Sequence, residues 1–509
     1  MDARSETTVE THVPPPPVRG RLVQGMLFLS GGEMAAKLFC FVAFTRIGRL
    51  LGPERYGSLE FVLALIVFFT LPADCGLGSY GAREIARGRY PVPRLLAGIA
   101  TLRLLLALGS FAVLMATVLA LPPPIGVLLS IYGLGFLLAP LQLQWLFQGR
   151  GRMEWVAAAS VVRYGVFAGL IFFCLRTETT LVRIGVFECI ALLASSALCV
   201  LVARPDLRAT IAEWPPRLAD LVGHLGSSWP IGLSQVCWAA LWYLATVFLG
   251  IWVADHSLGQ FTASHRMVMA LHTFVWMYFY NLLPAICRTA AAPGKDMQGL
   301  LGPSLALTSW AGGLAALLVT LLADDIIALA YGEAYRPAGR LLAVLIWAVP
   351  LALVSGHYRY ALIACDHERL ELRCNAIGAV VAVGLGVLLI PSHGAFSAAV
   401  ALVASALVVL VLALAAAREA CVSVPPIARV LPASSALAIA GLAARGLSGF
   451  GIWAAAAGAT GAYLSLLVLY EFGGPLQWRV RPVRPEPATS LGAPRGGETS
   501  LDFQGPISA

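Results

Sequence analysis

RIGRLLGPERYGSLEFVLALIVFFTLPADCGLGSYGAREIARGR, residues 46–89, is the stretch on which the fold turns. It holds the end of one apolar segment, a Gly-Pro turn at Gly52 and Pro53, a second apolar segment and a basic loop. So short a turn between two long apolar runs predicts a hairpin of membrane helices. Arg83, Arg87, Arg89 and Arg94 face only Glu84 in the loop that follows. Loops rich in Lys and Arg stay in the cytoplasm, so the order of the segments also predicts their orientation.

The composition agrees with a membrane location. Apolar residues make up 59% of the 509 and charged residues only 12%, against about 25% charged in a soluble domain. The net charge of +8 does not indicate nucleic acid. It is spread between apolar runs and forms no basic patch with interleaved aromatics. Basic loops against an anionic leaflet account for it better. The ten cysteines lie mostly within apolar runs, with no CxxC pair and no Cys/His cluster at metal spacing. They read as small buried hydrophobes, and neither a metal nor another cofactor is expected. The first apolar run has the length of a full span and follows a polar, Pro-rich tail (Pro14–Pro17), so no cleavable signal peptide is expected.

With about 20 apolar residues per span, the chain divides into about fourteen spans. Open-ended segments in lipid satisfy their backbone groups only as helices, so the expected fold is an all-α integral membrane protein. The expected organisation is a disordered cytoplasmic tail (1–21), an N-lobe of six spans (22–203), a C-lobe of six spans (224–416), two extra spans (430–471) and a disordered cytoplasmic tail (472–509). With both termini in the cytoplasm, Lys and Arg favour the inner loops about threefold. Arg46, Arg49 and Arg55 run against that trend. A loose internal repeat sets Gly57 of LLGPERYGSLEFVLAL on Gly259 of VADHSLGQFTASHRMVMAL. Its offset of six spans predicts parallel repeats, two lobes related by a pseudo-two-fold axis along the membrane normal, with a cavity between them.

A charge at mid-bilayer costs roughly 3 kcal/mol, so it faces a cavity or a partner. Lys37, Arg103, Arg163 and Arg266 fall deep within spans. Lining one cavity, they would attract an anion such as a pyrophosphate. The competing role is pairing with buried acids that lock helices together. For Lys37 and Glu33, four residues apart on one helix face, the two roles stand level. For Arg163 and Arg266, with no in-span acid nearby in sequence, the cavity is favoured. Glu33 and Glu188 are the candidate pairing or ion-site acids. His265, Met269 and His272 share a face of one span and are expected to be packing. Catalysis finds no support: there is no GxSxG, HExxH or phosphate-loop pattern.

Residues 50–87 resemble the polysaccharide-biosynthesis flippases of the MOP superfamily, the Wzx-like O-antigen and exopolysaccharide transporters. The matching residues are LGPERYG at 51–57, with Gly52 and Gly57, then Asp74, Gly76 and Leu77, then Gly81 with Arg83, Glu84 and Arg87 of REIAR. IIALAYGEAYRPAGRLLAVLIWAVP (326–350) and NAIGAVVAVGLGVLLIPSHGAFSAAVA (375–401) resemble later parts of that family in the same order. The resemblance implies an alternating-access carrier in the bacterial cytoplasmic membrane. Its cargo would be an undecaprenyl-pyrophosphate-linked oligosaccharide, its surroundings membrane lipids, and its partners in the process glycan polymerase and glycosyltransferases. A lipid II flippase and a drug or cation antiporter of the same superfamily are the alternatives among transporters. The antiporter requires a dominant in-span acid. A membrane glycan polymerase or ligase is the alternative from another class, and the short outer loops weigh against it.

Overall fold

The computed structural model describes residues 19–472 apart from 177–179, 254, 292–295 and 421–423. Most of the two expected disordered tails, and Cys421, lie outside the described residues. Among the described residues every regular element is helical. Eleven helical stretches are long and apolar enough to cross a bilayer. The chain is a multi-pass membrane protein.

The opening hairpin forms as its Gly-Pro step requires. Helix α1 (Arg19–Asp74) is bent at Gly52, with φ 73° and ψ 170°. A side chain there would be strained, and glycine is not. Pro53, with no N–H to lose and φ already set, starts the second arm. Gly57, one turn into that arm, is buried. α2 (Leu77–Arg87) follows after Gly76, which is left-handed at φ 73° and caps the helix. The REIAR motif wraps on itself here: Glu84, 1% exposed, faces Arg83, Arg87 and Arg89 at 3.3, 3.6 and 3.7 Å.

α3 (Val92–Val118) is continuous, but the next crossing is broken. α4 (Pro123–Leu134) gives way to a 3-10 turn at Gly135–Leu141 containing Pro140. Gln142 then leaves helical geometry (φ −81°, ψ 86°) before α5 (Gln144–Gly149). α6 (Met153–Cys174), α7 (Leu181–Val202) and the short α8 (Arg204–Ile211) complete the first half.

The second half comprises α9 (Leu218–Trp252), α10 (Asp255–Ala291), α11 (Met297–Leu321), α12 (Ala323–Tyr331), a 3-10 turn at Glu333–Ala338, α13 (Gly339–Leu345), α14 (Ala348–Ala364) and α15 (Glu368–Glu419). α15, 52 residues long, bends at Gly394 with φ 61°. α16 (Leu431–Leu447) and α17 (Ile452–Phe472) pack on each other and on α11. Trp310 of α11 fixes them: its indole donates to Glu471 at 3.0 Å and its carbonyl accepts from Tyr463 at 2.9 Å.

The halves meet through α1, which packs on α6, α9 and α10. At the Gly52 end the approach is close. A Cβ on Gly259 would lie 1.8 Å from the Pro53 carbonyl oxygen. Tyr56, Tyr331 and Tyr335 pack there with tilted or edge-on rings, their centroids 5.3 to 6.2 Å apart. Arg46 and Arg49 have specific work at this end. Arg46 donates to the carbonyl of Phe172 at 3.3 Å, in the last turn of α6. Arg49 donates to the carbonyls of Ala330, at 2.6 Å, and Leu329, in the last turn of α12. Cations satisfy the orphan carbonyls and negative dipole of a helix C-terminus. At the other end, Gly76 meets Ser228 and Gly232 of α9 so closely that a Cβ would fall 2.7 Å from their backbones.

The cysteines divide. Cys199 and Cys374 are buried as expected, whereas Cys174 and Cys287 are exposed.

Candidate functional site

A cavity of about 690 Å³ lies between the two ends of the hairpin's second arm. Its walls come from α1, α3, the broken crossing α4–α5, α6, α7, α9 and α10. Three of the four cations singled out in the sequence reach it: Arg103 from α3, Arg163 from α6 and Arg266 from α10.

Each arrives with a carboxylate. Arg163 donates through Nε and Nη2 to Glu188 Oε1 at 3.1 and 2.5 Å. Arg266 donates to Glu60 Oε1 through Nε at 2.8 Å and Nη2 at 2.6 Å. Its guanidinium also lies 3.6 Å from the centroid of Phe44. Arg103 pairs with Asp74, and its Nη1 donates to the Gln142 carbonyl at 3.0 Å. Gly78 makes room for this group: a Cβ there would lie 2.8 Å from Arg103 Nη2. Asp74 also accepts from the Gly78 N–H at 3.4 Å, so it both caps α2 and holds Arg103.

The expected excess of positive charge is therefore balanced. Among the described lining residues, Asp74, Glu60 and Glu188 match Arg103, Arg266 and Arg163 one for one. Three bare guanidinia in a low-dielectric cavity would be costly, and a partnered cation is far less so. Lys37 does not line the cavity. It lies one turn before Cys40, where the wall begins, and its exposed ammonium sits 5.9 Å from the Tyr164 ring. No ion pair joins it to Glu33 among the described residues. Glu33 instead accepts from Ser160 Oγ at 2.7 Å. Glu188 has the pairing role, and Glu60 joins it as a partner the in-span reading of Arg266 did not include.

His265 and Met269 line the same cavity. His265 stacks on Phe261 and His272 packs at 4.4 Å on Trp242, in keeping with a packing role. Arg359 of α14 is held by Glu371 at 2.5 Å.

Polar and aromatic groups fill the rest of the wall. Gln142, Gln144, Trp145 and Gln148 come from the break in the fourth crossing, and Tyr132, Tyr164 and Tyr243 from the helices around it. Non-helical backbone at membrane depth is tolerated where it borders a polar cavity, as this break does.

Residues 22–290, more than half of the chain, match the polysaccharide biosynthesis protein family. A Shigella dysenteriae protein named as an O-antigen transporter is 24% identical over 252 residues, covering 48% of this chain and 62% of that protein. An Escherichia coli (strain K12) protein of the same name is 21% identical over 325 residues, covering 62% and 77%. The match thus spans less than two thirds of the Shigella relative. Among solved structures, the lipid II flippase MurJ in an inward closed conformation superposes with a TM-score of 0.71. The identity is 11%, with 87% of this chain and 98% of that one covered. An inward-facing multidrug resistance MATE family transporter of the MOP superfamily gives 0.62 at 16% identity, covering 78% and 98%. These likenesses establish a shared fold. The chain is a member of the polysaccharide biosynthesis protein family with the fold of MOP-superfamily transporters.

Proposed function

We propose that this protein is a flippase that carries an undecaprenyl-pyrophosphate-linked oligosaccharide across the bacterial cytoplasmic membrane for surface polysaccharide synthesis. The observation that carries the reading is the convergence of Arg103, Arg163 and Arg266, from three different helices, on one cavity, each beside a carboxylate. Carboxylate and phosphate oxygens fit the same guanidinium fork. A pyrophosphate entering the cavity joins Glu188 and Glu60 on Arg163 and Arg266, taking guanidinium N–H donors that the carboxylates leave free. When the cargo leaves, each arginine keeps its carboxylate, so the empty cavity can reorient without an unpaired buried charge.

The membrane frame follows the charge bias of the loops, with both termini in the cytoplasm. Counting the two arms of α1 and of α15 separately, and adding α10, gives fourteen crossings. We assign residues 22–203 and 224–416 to two rocking lobes and 430–471 to an appendix. The sealed end at Gly52 faces outward in this frame and the Gly76 end faces inward. The sugar occupies the cavity while the polyprenyl tail stays in lipid between the lobes. The chain performs no chemistry on its cargo; glycosyltransferases supply it and a polymerase consumes it. A drug or cation antiporter would need a carboxylate free to take the ion. Each acid in the described wall is engaged by an arginine, which favours the anionic cargo.

Arg163→Met/Glu188→Leu and Arg266→Met/Glu60→Leu, which remove a pair without stranding a carboxylate, each stop surface glycan export in cells that keep the protein in the membrane at normal level. Normal export by both variants would remove the cavity assignment.

A further inference from the structure

The end of the cavity near Asp74 differs in chemistry from the zone of Arg163 and Arg266. Three of the chain's nine glutamines fall within seven residues, 142, 144 and 148. All three line the cavity. No side-chain hydrogen bond to another described residue occupies their amides. Between them sits Trp145, 4% exposed, with an indole N–H that has no partner among the described residues. Its ring packs where a Cβ on Gly81 would come within 2.5 Å. Arg103 lies over the same ring at 5.9 Å, and its Nε–H also lacks a partner among the described residues. Asp74 cancels the charge of Arg103. This end therefore offers hydrogen-bond donors and acceptors in quantity, with no net charge to attract an anion.

We propose that this end is a recognition subsite for an uncharged sugar ring of the cargo, read through the amides of Gln142, Gln144 and Gln148. The inference rests on the flippase reading above and adds to it a division of the cavity, phosphate at Arg163 and Arg266 and glycan at the glutamines. An amide presents a donor and an acceptor side by side, which matches vicinal hydroxyls or an acetamido group. The break at Gln142 is what allows this. In a continuous helix Gln144 and Gln148, four residues apart, would still share a face, but Gln142, two residues before Gln144, would point away from them.

The test uses the full-length protein in lipid nanodiscs and two probes, undecaprenyl pyrophosphate and the same lipid carrying one N-acetylglucosamine. Kd is measured for the wild type and for the Gln144→Ala/Gln148→Ala variant, whose exposed or half-buried side chains can be shortened without opening the core. The wild type binds the sugar-bearing lipid tighter by roughly tenfold. The variant binds both lipids alike and keeps the wild-type Kd for the sugar-free one. Equal binding of the two lipids by the wild type overturns the subsite, as does a sugar increment retained by the variant. A variant that loses affinity for the sugar-free lipid also overturns it and moves the pyrophosphate to this end. Failure of the wild type to bind either lipid would sink the flippase reading, and the subsite with it.

Discussion

Removing one member of the Arg266–Glu60 pair separates the structural role of the arginine from its role toward cargo. Arg266 touches Glu60 at 2.6 and 2.8 Å and covers Phe44 at 3.6 Å. Their side chains are 22% and 10% exposed. Arg266→Met leaves Glu60 buried without its cation, which costs about 3–5 kcal/mol. The lost ring contact adds roughly 1 kcal/mol. Arg266→Met/Glu60→Leu removes both charges and fills similar volume, so it returns to within about 1 kcal/mol of the wild type. The coupling between the two positions is therefore at least about 2 kcal/mol, the signature of residues in direct contact. Thermal unfolding of the purified variants measures this, and surface glycan in cells measures export. The double variant should be folded and inactive. An Arg266→Met variant as stable as the wild type would refute the pair. A stable double variant that exports normally would refute the cargo role of the guanidinium.

Two further outcomes follow from the hairpin and from the membrane frame. Arg49→Ala removes the cap that ties α1 to the end of α12; losing about 1 kcal/mol of that seal raises the outward-open population about fivefold. In a variant whose only cysteine is Cys40, which lines the cavity, this appears as faster labelling by an impermeant thiol reagent applied from outside. Single-cysteine variants also test orientation. Exposed Cys174, at the end of α6, reacts in intact cells, and exposed Cys287, near the end of α10, reacts only after permeabilisation.

The sequence speaks most clearly where a local rule decides the outcome. Gly52-Pro53 is a helix break by the chemistry of those two residues alone, and α1 bends there. Asp74 before Cys75-Gly76 indicates a cap or turn, and it accepts from the Gly78 N–H. Charge pairing across helices is less accessible to sequence. Arg266 meets Glu60 across 206 positions. One signal was available. Glu60 follows Gly52 by eight residues and Arg266 follows the start of α10 by eleven, so both lie roughly 12 to 16 Å from the same end at 1.5 Å per residue. Arg163 and Glu188 sit at comparable depths on two helices joined by a short loop. Matching depth, not distance along the chain, locates such partners. Lys37 shows the same limit: it lies one turn before Cys40, where the cavity wall begins. Arg46 and Arg49, which run against the expected charge bias, each meet a helix end that the sequence does not disclose, that of α6 for Arg46 and of α12 for Arg49.

Movement of an anionic lipid through the arginine-lined cavity is open to direct measurement. Protein reconstituted in liposomes can be assayed with a fluorescent undecaprenyl-pyrophosphate-linked oligosaccharide whose outer-leaflet signal is quenched chemically. Translocation above that of protein-free liposomes, falling to their level in Arg163→Ala, is the expected result. Wild-type protein that moves no more lipid than empty liposomes, or an Arg163→Ala variant that matches it, would contradict the account.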